Sequence, residues 1–136
     1  MEYLPLIFDQ QIFCLPNLVD DPFANDDFQS YVVQKFSKCR ENVSFLYISN
    51  MIKSKGYQYL LDLAVICRGE PFTFHFAVAW QSEQDERDFF KFIVDNELSD
   101  SVSYHGLVRG ADKKKLFLEA DIFLLHTRYP KEAFPL

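Results

Sequence analysis

From residue 43 onward the chain alternates short apolar runs with longer amphipathic stretches, and that rhythm limits the folds open to it. The first run, 43–48 (V-S-F-L-Y-I), is almost continuously apolar, as a strand buried on both faces requires. The second, 72–79, alternates, with Phe72, Phe74, Phe76 and Val78 on one face and Thr73, His75, Ala77 and Ala79 on the other. A third run, 102–104, is shorter, and a fourth, 122–125, has Asp121 before it and polar residues after it, which suits a short buried strand. Helical spacing fills the intervals. Residues 57–68 carry Leu60, Leu61, Ala64 and Val65 as an inner stripe and meet Gly69 as a stop. Residues 83–96 follow Ser82 as a cap, with Asp85 in the capping-box position, acids in the first turn, and Phe89, Phe92 and Ile93 facing a core. Residues 111–120 make a third helix, in which Asp112 and then Lys113, Lys114 and Lys115 read as a solvated end. Connections of this length exclude hairpins, so neighbouring strands run parallel with right-handed crossovers. The pattern predicts an α/β fold, half of a doubly wound parallel sheet. Nucleotide binders, receiver domains and flavodoxins share such a half, so function has to come from particular residues.

At 136 residues the chain is one domain at most, yet long enough for a real core. Its 49% hydrophobic content, with 15 Phe and 7 Tyr, belongs to a globular protein rather than a disordered one. A net charge of -6 argues against nucleic acid as a partner, because phosphate binding needs a basic face. No run reaches the roughly 18 to 20 apolar residues of a spanning helix. The opening M-E-Y-L-P has no basic leader, and the expectation is a cytoplasmic chain without a transmembrane segment. Cys14, Cys39 and Cys67 are far apart and form no C-x-x-C pair, which favours structural thiols. His75, His105 and His126 are likewise scattered without ligand spacing, so no metal and no cofactor is expected.

Residues 1–42 differ in character. Pro5, Pro16 and Pro22 interrupt regular elements, and Asp20, Asp21, Asp26 and Asp27 form an acidic cluster. A short strand over 11–15, a turn at Pro16-Asn17 and a helix over 27–39 are the elements the pattern allows there. After the first strand comes the loop S-N-M-I-K-S-K-G, 49–56, and after the last comes T-R-Y-P-K-E-A-F-P-L, 127–136. Both stand just past the carboxyl ends of parallel strands, where open α/β sheets place ligands.

The final segment, D-I-F-L-L-H-T-R-Y-P-K-E-A-F-P-L, resembles the start of the E-x7-E motif of the retaining nucleotide-sugar glycosyltransferases of family 4. Asp121, Ile122, Phe123, Thr127, Tyr129, Glu132, Ala133, Phe134, Pro135 and Leu136 match that pattern, while His126 stands where proline is usual. The loop at 49–56 is similar to the family's first βα loop, with Lys55 before Gly56 and with Asn50 where many members have a second basic residue. F-H-F-A-V-A-W-Q-S-E-Q-D-E is similar to a stretch in which glycine occupies the place of Val78, and V-S-Y-H-G-L-V puts Gly106 at a tight turn beside the site.

The resemblance implies a Rossmann-like domain, half of a GT-B fold, spanning 43–136, with 1–42 as the connector from an amino-terminal domain. It implies sugar transfer with retention from a nucleotide-sugar donor to a glycan or lipid-linked acceptor, in an enzyme peripheral to the inner membrane. Lys55 would face the donor diphosphate, Glu132 would be the catalytic carboxylate, and Asn50, Gly56, Ala133, Phe134, Pro135 and Leu136 would complete the donor site. The second glutamate of the motif falls beyond Leu136. The chain alone is therefore expected to be inactive as a transferase, and to self-associate through the exposed sheet edge that the cut would leave. The alternative is a non-catalytic Rossmann-like unit for binding or interaction. A receiver module fits poorly, since Ser49-Asn50 and His105-Gly106 supply no acidic cluster. The cysteine pattern makes a direct prediction: denatured, freshly purified protein titrates three free thiols without reductant, and a smaller number contradicts the absence of a disulfide.

Overall fold

The computed structural model describes residues 28–37 and 41–126. Strand β1 (Val43–Ile48) lies in the middle of the sheet, with a strand on each side and a core on each face. Strand β2 (Phe72–Ala77) runs parallel along its full length, from Val43 opposite Phe72 to Ile48 opposite Ala77. Strand β4 (Ile122–Phe123) pairs with its other edge at Phe45 and Leu46, and β3 (Val102–Tyr104) pairs with β2. The order is β3-β2-β1-β4, a four-stranded parallel sheet. The continuous apolarity of β1 has its reason here: Leu46 is 0% exposed and Tyr47 1%, and the two belong to cores on opposite faces.

Helices α2 (Tyr57–Ile66) and α3 (Glu83–Asp95) cover one face. Tyr57, Leu60, Leu61 and Ala64 from α2, with Phe89 and Ile93 from α3, bury against Tyr47, Phe74 and Phe76. Phe89 meets Tyr57, Phe76, Trp80 and Tyr104 edge to face, contacts that add roughly 0.5–1.5 kcal/mol each beyond area burial. Helix α4 (Gly110–Glu119) covers the other face, where Leu116 packs with Leu46 and Ala77. Helix α1 (Phe28–Ser37) lies beside α4: Lys35 Nζ donates to the carbonyls of Leu118 and Ala120 and pairs with Asp121 at 3.6 Å. Helices on both faces make the sheet doubly wound, as the alternation predicts.

Four details differ from the sequence expectation. The second strand ends at Ala77 rather than residue 79, because Val78 adopts φ +96° and leaves the extended region. The helix expected to reach residue 68 closes at Ile66, with Cys67 as its cap and Gly69 at φ +88° in the turn after it. Its most buried stripe includes Tyr57, whereas Val65 is only partly covered. The last strand is two residues long and lies at the sheet edge, so Ile122 and Phe123 are 39% and 45% exposed rather than buried. The expectations for 11–15, Pro16-Asn17 and 127–136 lie outside the described residues.

Ser82 caps α3 as expected, its hydroxyl oxygen accepting the Asp85 N–H at 3.2 Å. Ser82→Ala is expected to lower the unfolding free energy by about 1 kcal/mol in a urea titration. An unchanged midpoint would mean that the cap contributes nothing.

Candidate functional site

Strand β1 leads through α2 to β2 on one side of it, and the path through β3 and α4 returns to β4 on the other. The strand order therefore reverses between β1 and β4. In open parallel sheets a crevice opens at that point, beyond the carboxyl ends of the strands. Two segments enter it: residues 49–56 after β1 and residues 124–126 after β4.

The first segment is tightly held. Met51 is fully buried, its N–H donates to the Ala79 carbonyl at 3.0 Å, and it bridges to Trp80, which carries the β1–β2 pairing past the strand ends. The Tyr47 hydroxyl donates to the carbonyls of Asn50 and Lys55, each at 3.3 Å. Burial pushes the Tyr47 phenol well above the usual range, so it remains a donor at any physiological pH. Burial and then the charges of Asp85 and Asp88 push Tyr57 up to about 12. Residues Lys53–Lys55 form a single 3-10 turn, and Gly56 follows at φ +82° as the residue before α2.

Gly56 has no room for a side chain. A Cβ there would lie 1.9 Å from the His126 carbonyl oxygen, because the second segment crosses directly over the start of α2. Leu124 N–H donates to the Leu46 carbonyl at 2.9 Å, Leu124 and Leu125 pack on the core, and the His126 ring lies against Tyr59, tilted by 37° with centroids 4.6 Å apart. An apolar cavity of about 140 Å³ lies under this crossing, lined by Tyr47, Gly56, Tyr59, Leu60, Leu124 and His126. A larger groove of about 340 Å³ between α2 and α3 is lined by Asp62 and Asp88 and by Lys53, whose ammonium pairs with Asp85, so the charge there does not favour an anion.

Of the residues singled out in the sequence, Asn50, Lys55 and Gly56 sit together at the crevice. Asn50 is exposed, Lys55 is half-buried and Gly56 is buried. Glu132, Ala133, Phe134, Pro135 and Leu136 lie outside the described residues. Among the described residues no side chain caps the start of helix α2, and its first turn holds no acid, a combination that suits an anion at its amino-terminal N–H groups and dipole. Lys53 points elsewhere: its ammonium pairs with Asp85 at 3.0 Å, and that hydrogen bond raises its pKa.

Asp121 is at the opposite end of its strand from the crevice. Its carboxylate accepts the Ser44 N–H at 2.9 Å and its own N–H donates to the Ser44 carbonyl at 2.8 Å, which pins β4 to β1. Sequence reading missed the anchoring role of Tyr47 and the contact of Tyr59 with His126; neither tyrosine stands in a motif, and only the β1 pattern marks Tyr47 as buried. Among the described residues no group of three or more His, Cys, Asp or Glu is arranged to hold a metal, and no helix is long and apolar enough to cross a membrane. Cys67 is a free thiol.

No protein-family profile and no curated protein sequence matches the chain. Solved structures do. Anabaena HepE in complex with UDP and glucose superposes with a TM-score of 0.59 at 18% identity, over 74% of this chain and 27% of that one. Staphylococcus aureus TarM, in complex with Fondaparinux, alpha-GlcNAc-glycerol and UDP, matches with a TM-score of 0.52 at 17% identity, over 65% of this chain and 17% of its own. The pneumococcal O-GlcNAc transferase GtfA in complex with UDP and GlcNAc gives 0.51 at 16% identity, again over 65% and 17%. The chain thus has the fold of part of one Rossmann-like half of the GT-B fold, and spans about a quarter of the length of HepE.

The Gly56 crossing predicts a severe variant. Gly56→Ala adds a left-handed backbone penalty to a clash with fixed main chain, and is expected to destabilise by about 2–4 kcal/mol in chemical denaturation. Gly69→Ala, in open space at φ +88°, should cost only about 1 kcal/mol. Equal losses from the two would deny the crossing its importance.

Proposed function

We propose that this chain is the donor-binding part of a retaining glycosyltransferase. A nucleoside diphosphate-sugar would lie across the carboxyl ends of β1 and β4. The observation that carries the reading is the convergence of the Lys55-Gly56 turn and the β4 exit at one switch point, over a helix start that no described side chain caps. The diphosphate takes the amino terminus of α2, with the Lys55 ammonium as its charge partner and Asn50 beside it. Glu132, Ala133, Phe134, Pro135 and Leu136 follow the β4 exit in sequence, and the resemblance gives the Glu132 carboxylate the role of steadying positive charge developing at the anomeric carbon.

Transfer needs no metal in this scheme, because lysine and backbone amides offset the leaving-group charge. The acceptor, a glycan or a lipid-linked one, is left to a second domain, and the whole enzyme works in the cytoplasm at the inner membrane. The structures it resembles, whose names include a transferase and whose ligands include UDP and sugars, support the donor class. The second reading, a non-catalytic Rossmann-like unit, is favoured by one feature. Val78 stands where the resemblance places glycine, yet keeps a backbone conformation that suits glycine. Among the described residues no strand pairs with the outer edge of β4, which would give such a unit a means of self-association.

Calorimetry with UDP and UDP-glucose tests the site. A charge-assisted phosphate contact is worth about 1.5–3 kcal/mol, so Lys55→Ala should weaken binding roughly tenfold or more. Lys53→Ala should do much less, since that ammonium is committed to Asp85. Equal effects point to diffuse electrostatics, and no effect from Lys55→Ala retires the assignment.

A further inference from the structure

His75 lies on the α4-facing side of β2, opposite to Phe74 and Phe76, and His105 directly follows β3. Nδ1 of His75 and Nε2 of His105 are 3.0 Å apart, with ring centroids 5.2 Å apart. The centroid separation exceeds the N···N distance by 2.2 Å, about the sum of two imidazole radii, so the nitrogens meet head on. That is the geometry of one N–H donating to one lone pair.

The pair belongs to a larger fastening. His105 N–H donates to the Phe76 carbonyl at 2.8 Å, Val78 N–H donates to the Gly106 carbonyl at 2.7 Å, and the Tyr104 hydroxyl donates to the Val78 carbonyl at 2.8 Å. Val78 is β-branched and held at φ +96°, a conformation that persists only where its surroundings over-determine it. Here both of its backbone polar groups are tied to the segment that His105 anchors.

We propose that the His75–His105 pair is a proton-operated latch, which ties the turn after β3 to the exit of β2 near neutrality and releases it, with the strained Val78 backbone, on acidification. The proton count is explicit. In the neutral pair one facing nitrogen carries the proton and the other accepts it. A first added proton goes to the outer nitrogen of the donor ring, and the bridge survives as an imidazolium donor. A second must go to the accepting nitrogen, and two N–H groups then face each other across the gap.

The groups around the pair fit this sequence. From α4, Asp112, Lys115 and Glu119 line a cavity of about 270 Å³ with His105, and Glu119 favours protonation of both rings while Lys115 opposes that of His105. From the strands beside His75, the partners Leu46 and Ser103 carry no charge. Burial comes first in lowering both rings below the ordinary 6.5, followed for His75 by the charge of His105. A base lowered by folding gives stability that is present above the unfolded value and lost as pH falls through the folded one. The latch thus holds at and above the ordinary histidine value and opens as pH falls through the lowered values of the folded pair.

Amide exchange followed by NMR tests the latch whether or not a nucleotide binds. Rates at about pH 7.5 and about pH 5, on either side of histidine titration, are corrected for intrinsic exchange. Protection of the Val78 and His105 amides should fall roughly fivefold or more at the lower pH, as loss of a hydrogen bond implies, while the Leu60 amide in α2 keeps its protection. His105→Gln cannot take the second proton, and its exposed position spares the core; in this variant the pH-dependent loss at Val78 should disappear. The same loss in His105→Gln, an equal loss at Leu60, or two rings titrating independently at the ordinary histidine value would overturn the proposal.

Discussion

The structure depends on β1 having both of its faces and both of its edges occupied. A strand in that position must be apolar throughout, and V-S-F-L-Y-I meets the demand with Leu46 toward α4 and Tyr47 toward α2 and α3. Burying a side chain of this size stabilises by roughly 1.5–3 kcal/mol. Tyr47 does a second thing: its hydroxyl, kept protonated by burial, holds the carbonyls of Asn50 and Lys55. One residue therefore joins the core to the loop at the crevice. The close crossing of His126 over Gly56 then fixes the β4 exit against the same loop. Position at the site follows from core packing rather than from loop sequence alone.

Much of this was legible beforehand, for physical reasons that differ by element. Period-2 and period-3.6 patterns report burial directly, so the parallel sheet, the α2 and α3 stripes and the Ser82 cap could be read from the residues. Edge position is not encoded in the same way. An apolar run such as I-F-L-L reads as buried, yet β4 has one neighbour and leaves Ile122 and Phe123 partly in water. Val78 was unreadable as a strand end, because valine favours extended backbone and only tertiary hydrogen bonds hold it at positive φ. The same limit applies to the candidate site. Lys55 and Gly56 were singled out by the resemblance of their loop, whereas the partner of Gly56 is a backbone carbonyl that no motif could have named.

The two ends of the sheet's carboxyl edge have different characters. At β1 and β4 a half-buried lysine and a glycine forced by close approach stand at a helix start that no described side chain caps. At β2 and β3 a strained valine, a tyrosine hydroxyl and two facing histidines make a fastening. In a parallel sheet these exits are adjacent, all at the same carboxyl edge. The likeness to solved glycosyltransferase structures is one of fold.

The central claim is that an anion binds where the β1 and β4 exits meet. At 16.0 kDa the chain suits backbone NMR with isotope labelling, and titration with UDP tests the claim most directly. The account predicts saturable shifts concentrated at the amides of Lys55, Gly56, Tyr57 and His126, with inorganic pyrophosphate reproducing the shifts at the start of α2. Shifts concentrated instead along the groove between α2 and α3, or none at saturating nucleotide, would contradict it.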